Sequence, residues 1–241
     1  MAPYPDVVAY ATAVTVAARR VNGLALAGSY LHGSAVLGGF APGRSDVDLL
    51  LVLKQAPRAQ VAQALGEALI AVAGCPGSGI EASAVTRAAA KSPLPPWPFV
   101  VHVTSTPGEE KVVVGEEHGG DGDLALHYAV VRQCGRVLQG PPPAELIGPV
   151  PRDVVLKALR SELAWGLEHG AMAYAVLNGA RALRFSVESI LCSKLEGGEW
   201  AICHGEPSGV IQPAMDQQLT GADATITPAQ TAWVSATALR L

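Results

Sequence analysis

Asp46 and Asp48 stand two residues apart at the head of an uninterrupted apolar run, Leu49-Leu50-Leu51-Val52-Leu53. Five apolar residues in a row predict a strand covered on both faces, as inside an α/β sheet, rather than one half of a solvated hairpin. Alternate residues of a strand share a face, so the two carboxylates point together while Val47 and Leu49 point the other way. Like charges that close repel, and charges at the mouth of a buried strand need a partner. A hard divalent cation answers both demands, and Mg²⁺ typically takes one or two carboxylates plus the phosphate oxygens of a substrate. An Asp-x-Asp alone is also a common solvated strand end, so its surroundings decide its meaning.

Those surroundings are informative. Eleven residues separate Asp46 from Gly33-Ser34, which lies in the glycine-dense stretch GSYLHGSAVLGGFAPGRS. A phosphate approaches backbone N–H groups closely only where side chains are small, and the Ser34 hydroxyl adds a donor. Glu81 lies in the strand-like IEASAV. Sheet pairing can bring it to the face of the Asp pair, where it could take a proton from an attacking hydroxyl.

The 241 residues suffice for one large or two small domains. Residues 6–21 read as a helix with Asp6 as N-cap. LALAGSY and DVDLLLVL read as strands, and 57–73 as a helix opening on Pro57, with Val61, Leu65, Leu69 and Val72 on one face. GIEASAVT and PFVVHVT read as further strands and 124–138 as a helix ended by GPPP. From Arg152 onward the pattern is helical, chiefly in DVVLKALRSELAWGLEHG and AYAVLNGARALRFSVESILC. The expected architecture is therefore an α/β domain with a mixed sheet over residues 1–150 and an all-helical bundle over 151–241, with the boundary at Pro149 and Pro151.

Composition excludes several partners. With 17 basic and 21 acidic residues, a net charge of −4 and no run of Lys or Arg, the chain lacks the clustered cations that nucleic-acid binding needs. No stretch approaches the roughly 18 apolar residues of a membrane span, and the N-terminus lacks a signal-peptide pattern. Cys75, Cys134, Cys192 and Cys203 lie too far apart for a disulfide framework, so a reduced cytoplasmic compartment is expected. The histidines show no HxxxH or HExxH spacing, which argues against a histidine metal site. P-loop and dinucleotide glycine patterns are absent. Gly28-Ser29 reads as strand-end punctuation, and Trp97, in a proline-rich loop, as packing. A monomer acting on small molecules is the expectation.

LHGSAVLGGFAPGRSDVDLLLVL resembles the signature of the nucleotidyltransferase superfamily that shares the DNA polymerase β palm. GDLALHYAVVRQCGRVLQGPPPAELIGPVP and ARALRFSVESILCSK are similar to the bacterial aminoglycoside adenylyltransferases that modify streptomycin and spectinomycin. The likeness covers most of residues 24–204 and leaves the last 35 or so unassigned. It implies Mg²⁺-dependent transfer of AMP from ATP to a hydroxyl of a small polar acceptor, an aminoglycoside or aminocyclitol antibiotic, with release of pyrophosphate. It makes Asp46 and Asp48 the Mg²⁺ ligands and Glu81 the general base. Gly33, Ser34 and Ser45 would line the triphosphate, and Asp123 would stand near the nucleotide. Arg181 and Lys194, thirteen residues apart, would reach ATP from the helical domain, which thereby completes the nucleotide and acceptor site.

The residues themselves leave those two cations open. Arg181 falls beside an apolar helix face, where it either snorkels or serves an anion. Ser193-Lys194-Leu195-Glu196 is a capping-box pattern that puts Lys194 in a first helical turn; the dipole disfavours a cation there and an anionic ligand would explain it. Ala171 and Tyr174 depart from the family, which places drug-holding polar and acidic side chains there. Asp121, Asp123, Glu162, Glu168 and Glu188 remain as acidic lining. An acceptor less highly charged than streptomycin is therefore expected. A second class of function, a nucleotide-binding regulatory or antitoxin-like protein acting on a protein partner, runs against the intact carboxylate triad.

Overall fold

Alternating apolar runs and helical segments build a mixed sheet in the first part of the chain and helices alone in the second. The computed structural model describes residues 4–106, 108–115, 118–222 and 227–241. The chain divides into two compact units, Met1–Val150 and Pro151–Leu241.

In the first unit the strands are β1 (Leu26–Leu31), β2 (Val47–Leu53), β3 (Ile80–Thr86), β4 (Val101–Thr104), β5 (Lys111–Val114) and β6 (Arg136–Gln139). Among the described residues they form one six-stranded sheet in the order β5-β4-β3-β2-β1-β6. β2 and β3 run parallel and every other pair antiparallel. Val47, Leu49, Leu51 and Leu53 of β2 join a core with α1 (Pro5–Arg20) and α3 (Ala59–Ile70). Leu50 and Val52, pointing the opposite way, are also fully buried. Burial on both faces thus accounts for the apolar run, as expected for a central strand. Two short helices, α4 (Arg87–Lys91) and α6 (Pro143–Leu146), pack against each other.

Several local expectations shift. Helix α1 starts at Pro5 after a Tyr4 cap that makes no side-chain bond, so Asp6 sits in the first turn rather than at the cap. Helix α3 buries Ala62, Leu65, Gly66 and Leu69, and Arg58 is its cap; the face is rotated from the expected one, and Pro57 precedes the helix instead of opening it. The expected helix over 124–138 stops at Cys134: α5 is Leu124–Cys134, and after Gly135 the chain turns into β6 along β1. An open edge of β1 offers Val137 and its neighbours a ladder of backbone bonds that outweighs one more helical turn. Gly28-Ser29 lies within β1, where the buried Ser29 hydroxyl bonds Thr15 of α1 at 2.8 Å. Trp97 is buried, in keeping with a packing role.

The second unit consists of α7 (Arg152–Glu168), α8 (Met172–Glu188), α9 (Lys194–Cys203), α10 (Ser208–Thr220) and α11 (Pro228–Arg240). Helix α8 packs against all four others. Its middle is made of small or slender residues, Ala175, Val176, Leu177, Asn178, Gly179 and Ala180, all buried, which is what a helix surrounded on most sides requires. The expected continuation to Cys192 ends at Glu188, with Ser189 in a left-handed cap. Residues from 205 onward, unassigned by motif, supply α10 and α11. Among the described residues no helix is long and apolar enough to cross a membrane, and the four cysteines are free.

Glu206 fastens α11 to the end of α9. Its carboxylate accepts Trp233 Nε1 at 2.7 Å and Arg240 at 2.8 and 3.2 Å. The Arg240 bond, helped by that of Trp233, holds Glu206 below the usual glutamate range. A depressed folded-state value means that the contribution is complete above the unfolded-state pKa and lost as pH falls through the folded one. Replacing Glu206 by Gln is expected to lower stability by about 1–2 kcal/mol at neutral pH. The gap from wild type should narrow on acidification below the glutamate range, in urea melts followed by circular dichroism; a gap that does not change with pH would exclude this linkage.

Candidate active site

The end of β1 and the start of β2 lie side by side, and the turn between them is shaped around Asp48. His32 N–H donates to the Asp48 carbonyl at 3.0 Å. Gly33 comes next, with φ +61° and ψ −147°, a conformation that only glycine adopts without strain, and caps the short α2 (Ser34–Leu37). A Cβ at Gly33 would overlap the Asp48 carboxylate itself. The glycine is thus required twice, by its backbone angle and by the carboxylate packed on it. The Ser34 hydroxyl beside it is enclosed and makes no hydrogen bond.

Asp46 is positioned by its neighbours. Ser45 closes the preceding turn, its Oγ accepting Ala41 N–H at 3.0 Å and its carbonyl accepting Ser78 N–H at 2.9 Å. Val47 N–H donates to Gly79 at 2.9 Å, starting the parallel pairing of β2 with β3. In that register Asp48 is the partner of Glu81. Neighbours in a parallel ladder share a face, and one oxygen from each of Asp46, Asp48 and Glu81 lies within 4.8 Å of the other two. All three are half-buried.

The electrostatics reflect that crowding. Burial first, and then the charges of Asp48, Asp46 and the more distant Asp123, push Glu81 well above the usual carboxylate range. Three acidic oxygens so placed are a donor set for a hard cation, whose charge would relieve the same repulsion. The residues present therefore fit Mg²⁺.

Two histidines missed by spacing rules line the cluster. His127 of α5 places Nε2 at 3.8 Å from Glu81 Oε1, and its ring stacks at 4.7 Å, tilted, on the buried His32. Burial lowers the proton affinity of both, in His127 against the pull of Asp121, Asp123 and Asp46. Asp123 is the α5 cap residue, one turn before His127, and its N–H is bonded by Asp121 Oδ1 at 3.0 Å. The i,i+4 spacing of Asp123 and His127 is the one sequence signal for this wall. It concerns a helix face, not the metal patterns in which histidines are usually sought.

Arg181 and Lys194 lie in the helical unit. Arg181 Nε donates to the Cys192 carbonyl and Nη1 to Asn178 Oδ1, both at 2.9 Å. The capping box at Ser193 and Glu196 forms as its pattern predicts, which makes Lys194 the first residue of α9. Its Nζ lies 4.3 Å over the ring of Tyr174, whose hydroxyl donates to Glu162. Of the other acidic residues expected to remain for an acceptor, Glu188 is held by Arg184 at 2.9 Å and by Trp200 Nε1 at 2.6 Å, and Glu168 is exposed at the end of α7.

The double constraint on Gly33 gives a direct test. Gly33→Ala must strain the backbone, by about 1–3 kcal/mol, and displace Asp48. It is expected to lower the melting temperature and to abolish calorimetric binding of Mg²⁺ or Mn²⁺ by the otherwise folded protein. Unchanged stability and cation affinity would show that the turn does not depend on Asp48.

Residues 145–237 match the family described as aminoglycoside adenylyltransferase, C-terminal domain, so the likeness extends through α10 and into α11, beyond the residues that motifs alone reached. Spectinomycin 9-adenylyltransferases of Staphylococcus aureus strains Mu50 and N315 are each 27% identical over 199 residues, covering 75% of this chain and 72% of the relative. Among solved structures, spectinomycin adenyltransferase AAD(9) from Enterococcus faecialis, crystallised with ATP and spectinomycin, superposes with a TM-score of 0.67 at 16% identity, covering 94% of this chain and 97% of that one. By sequence in its C-terminal part and by fold along nearly its whole length, this chain resembles the aminoglycoside adenylyltransferases.

Proposed function

We propose that the protein transfers AMP from ATP to a hydroxyl of an aminocyclitol of the spectinomycin type and releases pyrophosphate. The observation that carries this reading is the Asp46–Asp48–Glu81 cluster, three carboxylates in mutual reach on one sheet face beside a turn built of Gly33 and Ser34. The likeness to spectinomycin-modifying relatives supports the choice of acceptor.

Asp46 and Asp48 would hold Mg²⁺, which would neutralise phosphate charge and so open the α-phosphorus to attack. Glu81 takes the proton from the acceptor hydroxyl as its oxygen bonds to the α-phosphorus and the bond to the β-phosphate bridging oxygen breaks. Gly33, Ser34 and Ser45 line the triphosphate, and the enclosed, unbonded Ser34 hydroxyl is a donor in need of an acceptor. Asp123 lies on the nucleotide side. Arg181 and Lys194 stabilise the charge that collects on pyrophosphate as it leaves.

Charge decides the acceptor. A polycation exchanges water for carboxylates only where these are to hand. Ala171 offers none, Tyr174 engages Glu162, and Glu188 is already paired. A less highly charged aminocyclitol suits this supply better than streptomycin.

Pyrophosphate release from ATP and Mg²⁺, followed with spectinomycin and streptomycin in turn, tests the proposal. Turnover is expected with spectinomycin, little with streptomycin, and none after chelation. Asp46→Asn and Asp48→Asn are expected to abolish turnover without unfolding the chain. Glu81→Gln should keep ATP binding and lose roughly 10²–10⁴ in rate. Near-normal turnover by Glu81→Gln would remove the base from the mechanism, and a preference for streptomycin would overturn the acceptor.

A further inference from the structure

Two imidazole rings stack beside the carboxylate cluster, and each has a nitrogen without a partner. His32 is buried, with its backbone N–H on the Asp48 carbonyl and its ring bonded by the backbone of Leu49, yet its Nε2 is enclosed and makes no hydrogen bond. His127 of α5 lies against it, ring centroids 4.7 Å apart, and the His127 Nδ1 is likewise enclosed and unbonded. Buried polar atoms left without partners are costly. A phenyl ring at 127 would fill nearly the same space, keep the contact with His32 and carry no unmet nitrogen. Packing alone therefore favours phenylalanine over histidine.

The other nitrogen of that ring faces Glu81. His127 Nε2 lies 3.8 Å from Glu81 Oε1, and among the described residues Glu81 is the one carboxylate within 4.0 Å of it. That separation is longer than a hydrogen bond, as is common for catalytic contacts before substrate is bound. Asp46 also hydrogen-bonds the Glu81 carboxyl. That bond alone would tie the proposed base to a proposed metal ligand. A neutral imidazole has one donor nitrogen; with Nε2 in that role the ring can hold Glu81 Oε1, and the unmet Nδ1 is then a lone pair. His32, fastened to β2 through both backbone and ring, backs the imidazole and sets its direction.

We infer that His127 is a positioning residue for Glu81, its Nε2 donating to the Glu81 carboxylate and holding it toward the acceptor hydroxyl. The inference rests on the role proposed above for Glu81, and both residues belong to the first unit.

The test is steady-state pyrophosphate release by the full chain with ATP, Mg²⁺ and spectinomycin, with thermal melts in parallel. The variants are His127→Phe, His127→Gln and His127→Asn, and His127→Phe is also made in a Glu81→Gln background. His127→Phe should melt at or above the wild-type temperature and keep both KM values, while kcat falls about ten- to a hundredfold because the base is no longer aimed. In the Glu81→Gln background the same change should cost nothing further, since two residues that act through one another are not additive. His127→Gln, whose amide nitrogen reaches the place of Nε2, should recover much of kcat. His127→Asn, too short to reach it, should not, and this pair decides the matter if the phenylalanine variant does not fold. Wild-type kcat in His127→Phe, an equal fall in both backgrounds, or equal rates for the Gln and Asn variants would reduce His127 to packing and leave adenylyl transfer standing. Folded wild-type protein that releases no pyrophosphate with either spectinomycin or streptomycin would overturn the functional reading and this inference with it.

Discussion

The parallel pairing of β2 with β3 is the constraint on which the candidate site depends. Its register sets Asp48 beside Glu81, and Asp46 completes the group one step before the strand begins. Left to themselves, three carboxylates would separate into solvent. The apolar residues next to them in the chain hold them in place: Leu49 to Leu53 and Ala82, Ala84 and Val85 are buried, so any slip of register moves apolar side chains out of the core. The favourable burial of two strands thus maintains an unfavourable crowding of charge at their ends. Such a cluster has the donor chemistry that suits a hard cation and is hard to understand as a structural device.

How much of this could be read in the sequence depended on how local the determining interaction is. DVDLLLVL declares itself because burial on both faces leaves no charged residue between Leu49 and Leu53, and IEASAVT is a short β-compatible stretch after glycines. Their pairing, and hence the position of Glu81, becomes accessible once both are central strands joined by a helix. β6 was hidden because RVLQ prolongs the apolar pattern of α5, and only the distant edge of β1 gives it a better partner. β5 is four residues long and pairs with β4 alone, too short for its pattern to register. In α3 Leu65 and Leu69 of the expected face are buried, and the face is rotated toward Ala62 and Gly66, which allow the helix to approach the sheet more closely than Val61 would.

The histidine wall escaped for a different reason. His32 precedes the glycine turn and His127 lies almost a hundred residues later. What joins them is the contact of α5 with the end of β1, a tertiary fact with no local pattern. Burial lowers the proton affinity of both, although acidic groups lie beside His127. They supply polarisable packing where a further acid would add repulsion.

The two units place their charged groups by different means. In the first, carboxylates are concentrated and kept together by sheet register. In the second, the Arg181 guanidinium donates to the Cys192 carbonyl and to Asn178 Oδ1 beside the close crossing of α9. Among the acidic residues of the helical unit, Glu188 binds Arg184 and Trp200, Glu206 binds Trp233 and Arg240, and Glu162 accepts the Tyr174 hydroxyl. Burying Asn178 with one donor unmet is a cost that packing does not recover.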